Sequence, residues 1–231
     1  MQIKELKIYA QNFKKQTWFY SEIIGLNLIE ESDNQVVFLV GKSKLKITRS
    51  DKSQPYHFAI NIPCNQEGDA YRWLKERVEI LKDGENEIQD FNAWNAKAIY
   101  FYDMDNNIVE LIARRNLENE SHEVFDADSM LEISEIGMPV CDIETTFNTL
   151  RKMSSIEIFD GGFDKFCAIG DENGLFICID KRNKDWFPTG DQANSSEFVI
   201  KFNEDEKEYK LEFVNGGINA LVNKKAKLED P

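Results

Sequence analysis

A carboxylate in the middle of an aliphatic run is the first feature with chemical consequences. Glu110 lies in Ile108-Val109-Glu110-Leu111-Ile112, and burying such a group without a partner is costly, so something must neutralise or bind it. His57, one of only two histidines, opens the alternating run HFAINI. Glu5 shares the polar side of its segment with Lys7 and Tyr9, while Leu6, Ile8 and Ala10 form the apolar side, the period-two pattern of a strand buried on one face. Imidazole and carboxylate groups on such faces can exchange protons, form ion pairs or hold a cation. Lys46 is the obvious partner if an ion pair is the answer. Tyr9, Trp94, Tyr100 and Tyr102 supply aromatic surface that can line or cover a cavity, or simply pack.

The elements that must position these groups come in a repeated order. After the first strand, Asn12 stands at a helix N-cap, a helix is predicted over Phe13 to Ile24, and Gly25 falls where a helix C-terminus favours glycine. Three strand-like runs follow near Asn27 to Glu31, Gln35 to Val40 and Lys44 to Thr48, separated by turn signals. The same βαβββ order recurs from His57, with a helix from Glu67 to about Leu81 and strands near Glu87 to Asp90, Ala98 to Tyr102 and Ile108 to Ala113.

Asn116 to Met130 reads NLENESHEVFDADSM, acidic and without periodicity, as an exposed connector that also holds the second histidine, His122. Beyond it, Glu135 to Leu150 can be laid without a gap on Glu5 to Tyr20, placing Glu135 on Glu5 and Asp142 on the capping Asn12. A third module is therefore expected, with strands near Ser155 to Phe159, Lys165 to Gly170 and Leu175 to Asp180. A fourth begins at EFVIKF and is too short for a full helix. The fold class is α+β, repeated βαβββ modules forming curved mixed half-barrel sheets with helices outside. The expected domains are 1–115, a linker at 116–130, and 131–231 with a truncated last module.

The 42 Asp and Glu against 28 Lys and Arg give a formal net charge of −14, a field that repels phosphate backbones and anionic lipid. Nucleic-acid and membrane partners are not expected. The negative mean hydropathy and the absence of a long apolar run argue for a soluble, cytoplasmic chain. Cys64, Cys141, Cys167 and Cys178 form no CxxC pair and read as buried reduced thiols. No phosphate-binding loop, dinucleotide fingerprint or Ser/His/Asp arrangement is present.

The succession of strand, capping Asn, helix with Phe19-Tyr20, GLNL, HFAINIP and YFYDMDNNIVEL resembles the vicinal-oxygen-chelate superfamily of glyoxalases, bleomycin-resistance proteins and extradiol dioxygenases. The last segment is similar to that family's F-x-D-P-x-G-N-x-x-E-L hairpin, with Met104 for proline and Asn106 for glycine. The resemblance implies paired modules curled around a divalent metal (Fe, Mn, Ni or Zn) that chelates a small carbonyl, diol or catechol. Carried over by position, the metal ligands are Glu5, His57 and Glu110, with Lys46 at a further ligand position. Glu5 or Glu110 is the candidate catalytic base, and Tyr9, Trp94, Tyr100, Tyr102 and Lys46 are the pocket residues. The family's dioxygenases use two histidines and one carboxylate, so a site with one histidine and two carboxylates is less suited to oxygen activation. The alternative is a metal-free, bleomycin-resistance-like binding protein in which Lys46 replaces the cation, and a scaffold with vestigial pockets is a third reading. Both monomer and homodimer are compatible with four modules in one chain.

Overall fold

Sixteen strands and three α-helices form among residues 1–224, the part of the chain that the computed structural model describes. Module one contains β1 (Gln2–Ala10), α1 (Phe13–Trp18), β2 (Asn27–Glu31), β3 (Gln35–Val40) and β4 (Ser43–Arg49). Module two contains β5 (His57–Ile62), α2 (Glu67–Lys75), β6 (Ile80–Leu81), β7 (Gln89–Phe91), β8 (Ala96–Tyr102) and β9 (Ile108–Arg114). Module three contains β10 (Glu132–Val140), α3 (Ile143–Met153), β11 (Ile158–Gly161), β12 (Phe166–Asp171) and β13 (Gly174–Asp180). Module four is a meander of β14 (Phe198–Glu204), β15 (Lys207–Val214) and β16 (Gly217–Lys224), with no helix.

The strands form two mixed sheets. Seven strands run β16-β15-β14-β1-β4-β3-β2, and the larger sheet runs β11-β12-β13-β10-β5-β9-β8-β6, with β7 on β8. Within modules one, two and three the first and last strands are parallel, whereas β1 meets β14 and β5 meets β10 antiparallel. Module one therefore shares a sheet with module four, and module two with module three. The expected division into 1–115 and 131–231 does not follow this arrangement, because each sheet draws strands from both spans. Residues 225–231 of the second span lie outside the described residues.

The apolar faces of the two sheets make one core, with Leu6, Ile8 and Phe38 meeting Phe58, Leu111 and Phe176. Burying each such side chain contributes about 1.5–3 kcal/mol. All six residues of β5 are buried. Phe58, Ile60 and Ile62 enter this core, so alternation sends His57, Ala59 and Asn61 to the opposite face. There Ala59 joins a second apolar cluster with Tyr100, Ile108, Ile177 and Trp186.

Several local expectations change for identifiable reasons. The helix expected to end near Leu81 stops at Lys75, because the N–H groups of Arg77 and Val78 both return to the Leu74 carbonyl and Ile80–Leu81 pair with β8. The first helix passes from α1 into a π turn at Phe19–Ile23. Asn12 does not cap α1; its backbone N–H and Nδ2 bind Asp105 Oδ1 at 3.0 and 2.6 Å, tying module one to the β8–β9 hairpin. Asp142 does cap α3, accepting from Thr145 N at 2.8 Å. The acidic connector is docked rather than loose, since Asn119, Ser121 and Glu123 bond Cys64, Asn65 and Gln66 and its Phe125 is buried. Three cysteines are buried, while Cys141 is exposed. Among the described residues no helix is long and apolar enough to cross a membrane.

Candidate metal centre

His57 on β5, Glu110 on β9 and Glu135 on β10 converge on the face of the large sheet that points away from the main core. Each offers one ligand atom, and these atoms all lie within 4.8 Å of one another. His57 Nε2 is 3.6 Å from Glu110 Oε2 and 3.7 Å from Glu135 Oε2. The other ring nitrogen, Nδ1, lies 3.2 Å from the Ile108 carbonyl oxygen. A carbonyl only accepts, so Nδ1 donates, which turns Nε2 toward the two carboxylates. A β-bulge between Ile133 and Glu135, where β10 shifts register on β5, aims Glu135 at this point.

Arg114, two residues from the cluster's face-mate Ile112 on β9, is completely buried and donates through Nη2 to Glu135 Oε1. Its Nε donates to Asn61 Oδ1 at 3.2 Å, and its guanidinium lies 5.4 Å from the Trp94 ring centre. One oxygen of Glu135 is thus fixed, leaving the other for His57 or a cation. Burial, then the charge of Glu135, pushes the Glu110 carboxyl up to about 8. For His57, burial alone would lower the pKa, but the nearby carboxylates of Glu135 and Glu110 outweigh it and leave the ring raised. Two carboxylates and an imidazole nitrogen converging within 4.8 Å fit a divalent cation, whose charge would take the place of the proton the cluster otherwise holds, and three protein ligands leave coordination positions for a substrate.

The structure brings His57 and Glu110 together but places Glu5 elsewhere. Glu5 is on the seven-stranded sheet, where Lys201 Nζ meets its Oε1 at 3.0 Å and Lys46 Nζ its Oε2 at 3.3 Å. Burial pushes the Glu5 carboxyl up, but Lys201 and then Lys46 outweigh this and hold it below its ordinary value. The difference between the two glutamates lies one strand away. Lys7, two residues after Glu5, pairs with Lys46, whereas Gly137, two residues after Glu135, pairs with Ile177. An ammonium therefore occupies the position that is aliphatic beside Glu135. The expected ligand set changes accordingly, with Glu135 in the place given to Glu5, and Lys46 outside the site.

The triad lies on the wall of a cavity of about 410 Å³ lined also by Phe91, Trp94, Tyr100, Phe166, Trp186 and Phe187. Trp94 and Tyr100 line it as expected aromatic candidates. Tyr9 lies with Glu5 in a groove of the other sheet, and Tyr102 faces a neighbouring depression, where its hydroxyl donates to Asp191. The cover over the cavity comes from the segment between β13 and β14, which the sequence reading passed over. Trp186 packs tilted 5.1 Å from the His57 ring, and Phe187 packs 5.7 Å from Tyr100. Gly137 admits Trp186, since a Cβ there would stand 2.6 Å from the indole Cη2. Gly137→Ala is expected to displace that ring and destabilise the fold by about 1–3 kcal/mol. Near-UV circular dichroism and denaturant unfolding check this, and an unchanged aromatic signal would show the packing to be slacker than described.

No family model matches the chain. It is 32% identical over 117 residues to "Metallothiol transferase FosB" of Staphylococcus haemolyticus, a match covering 47% of this chain and 81% of the relative. The corresponding protein of Staphylococcus epidermidis matches with the same identity and coverage. Among solved structures, the E144Q glyoxalase I mutant from Zea mays superposes with a TM-score of 0.52 at 15% identity, covering 77% of this chain and 66% of that one. The chain belongs to the vicinal-oxygen-chelate superfamily of glyoxalase and bleomycin-resistance type.

Proposed function

We propose that this chain is a metal-dependent enzyme that binds a small oxygenated substrate through a divalent cation held by His57, Glu110 and Glu135. The observation that carries this reading is the convergence of an imidazole lone pair and two buried carboxylates on the wall of an aromatic cavity. The names of the staphylococcal relatives, metallothiol transferases, support it. When bound, the cation would polarise a substrate oxygen and stabilise negative charge that develops on it. His57 supplies Nε2 because Ile108 fixes its other nitrogen. Arg114 holds Glu135 in one orientation. Glu110, which stands opposite Tyr100 across the β8–β9 pair, is the candidate group for moving a proton. One histidine with two carboxylates favours Lewis-acid chemistry of lyase, isomerase or transferase type over oxygen activation.

A second reading, a metal-free binding protein, is favoured by one observation: a protonated His57 would face both carboxylates and could stand in for the cation. Elemental analysis of protein purified without added metal or chelator separates the two. The enzyme reading expects near one equivalent of a divalent metal per chain. It also expects thermal stabilisation on adding metal to chelator-treated protein, about 2.7 kcal/mol at a free concentration of 100 Kd. No bound metal and no stabilisation would favour the binding protein.

A further inference from the structure

We propose that the outer face of the seven-stranded sheet carries a second binding site, for a small aliphatic monocarboxylate whose acid group is held by Lys7 and Lys210. The two sheets are built on the same plan, so their central rows can be compared. In the large sheet Glu135 pairs with Ala59 and Ala59 with Glu110, and His57 stands two residues before Ala59. In the other sheet Glu5 pairs with Lys201 and Lys201 with Lys210, and Val199 stands two residues before Lys201. Directly paired residues, and residues two apart on one strand, share a face. The positions that offer an imidazole and two carboxylates in one sheet therefore offer one carboxylate, two ammonium groups and an isopropyl group in the other. Where the first fits a cation, the second fits an anion.

These residues line a groove of about 500 Å³. Lys7 lies directly opposite Lys46, and Lys201 directly opposite Lys210. Like charges so placed cost stability, yet they are gathered here on a chain of net charge −14. Glu5 offsets part of the repulsion through Lys201 and Lys46. Lys210 donates to Glu212 Oε1 at 2.5 Å, which commits one of the three N–H groups an ammonium carries. Lys7 has no ion-pair partner among the described residues, and its ammonium lies 4.9 Å from the Tyr9 ring centre. With Glu197 also on the lining, four ammonium groups meet three carboxylates, so a ligand with one carboxylate completes the balance. Half-buried Tyr9, Val199 and Val214 add an apolar wall for its chain, and the volume is that of a small-molecule site. The assignment does not depend on the metal centre.

The test is an amide nuclear magnetic resonance titration of the full chain, chelator-treated and at low ionic strength, with hexanoate, hexanamide and acetate. Hexanamide keeps the chain without the charge, and acetate keeps the charge without the chain. Hexanoate is expected to give saturable shifts at the amides of Lys7, Lys201 and Lys210, and to bind at least about tenfold more tightly than either control. Lys7→Met and Lys210→Met should each weaken hexanoate about tenfold, while Lys7→Arg, which keeps the charge, retains it; unchanged amide spectra elsewhere show that each variant folds. Absence of saturable shifts on these strands, hexanamide binding as tightly as hexanoate, or hexanoate binding that survives both methionine variants would each overturn the site. Acetate binding as tightly as hexanoate would overturn the aliphatic part of the assignment. Shifts confined to the surroundings of His57, Glu110 and Glu135 would put the acid in the other cavity and likewise overturn it.

Discussion

Glu135→Gln is expected to weaken divalent-metal binding by at least about 100-fold, whereas Glu5→Gln should leave it unchanged. Loss of a group that merely orients a ligand already costs about 10–100-fold in metal affinity, and Glu135 is assigned as a ligand itself. Glu5 stands at the matching place in its module, but two ammonium groups hold its oxygens at 3.0 and 3.3 Å on the other sheet. Competition against a chromophoric chelator measures both variants. The reverse result, with Glu5→Gln impaired and Glu135→Gln normal, would mean that the modules pair along the chain, one with two and three with four, and not as in this structure.

The second large effect is on stability. Arg114→Met keeps the length of the side chain but leaves Glu135 buried without its cation, and breaking a buried ion pair from one side costs about 3–5 kcal/mol. Part of that loss should return in the double variant Arg114→Met/Glu135→Gln, because the substitutions remove the two ends of one interaction. Denaturant unfolding of chelator-treated protein measures the cycle without contribution from metal. A loss under about 1 kcal/mol in the single variant, or strict additivity in the double, would show that the guanidinium and carboxylate do not depend on each other.

Much of the module structure is legible because β-strands with one buried face alternate visibly. Leu6, Ile8 and Ala10 against Glu5, Lys7 and Tyr9 is one instance, and the structure places it in β1. Glu110 stood out for the same physical reason, a charge amid aliphatic neighbours. Pairing between modules is a different matter. Each first strand has an edge that must be covered by another first strand, and alternation within β1 or β10 says nothing about which. The ungapped overlay of Glu135 on Glu5 held the needed clue, but choosing between them requires knowing that β10, and not β1, lies beside β5. Opposite Gly137, Ile177 brings no ammonium to Glu135, whereas Lys46 opposite Lys7 engages Glu5; that contrast emerges only once the parallel registers are known.

The cavity's cover was hidden for another reason. Trp186 and Phe187 sit in an irregular segment between β13 and β14 with no periodicity to announce burial. Trp186 is buried there because Gly137, 49 positions earlier, leaves room for its ring. Tyr102, on the same strand as Tyr100 and two residues on, shares its side of β8 but reaches beyond the cavity to Asp191. Residue type suggested aromatic lining in both cases, and position along the strand decided which ring reaches the metal centre.

Anomalous diffraction from crystals grown with zinc tests the central claim most directly. The account predicts one dominant peak about 2.0–2.2 Å from His57 Nε2 and from a carboxylate oxygen of Glu110 and of Glu135. A peak beside Glu5, or density showing His57 bonded to both carboxylates with no ion between them at saturating zinc, would contradict it.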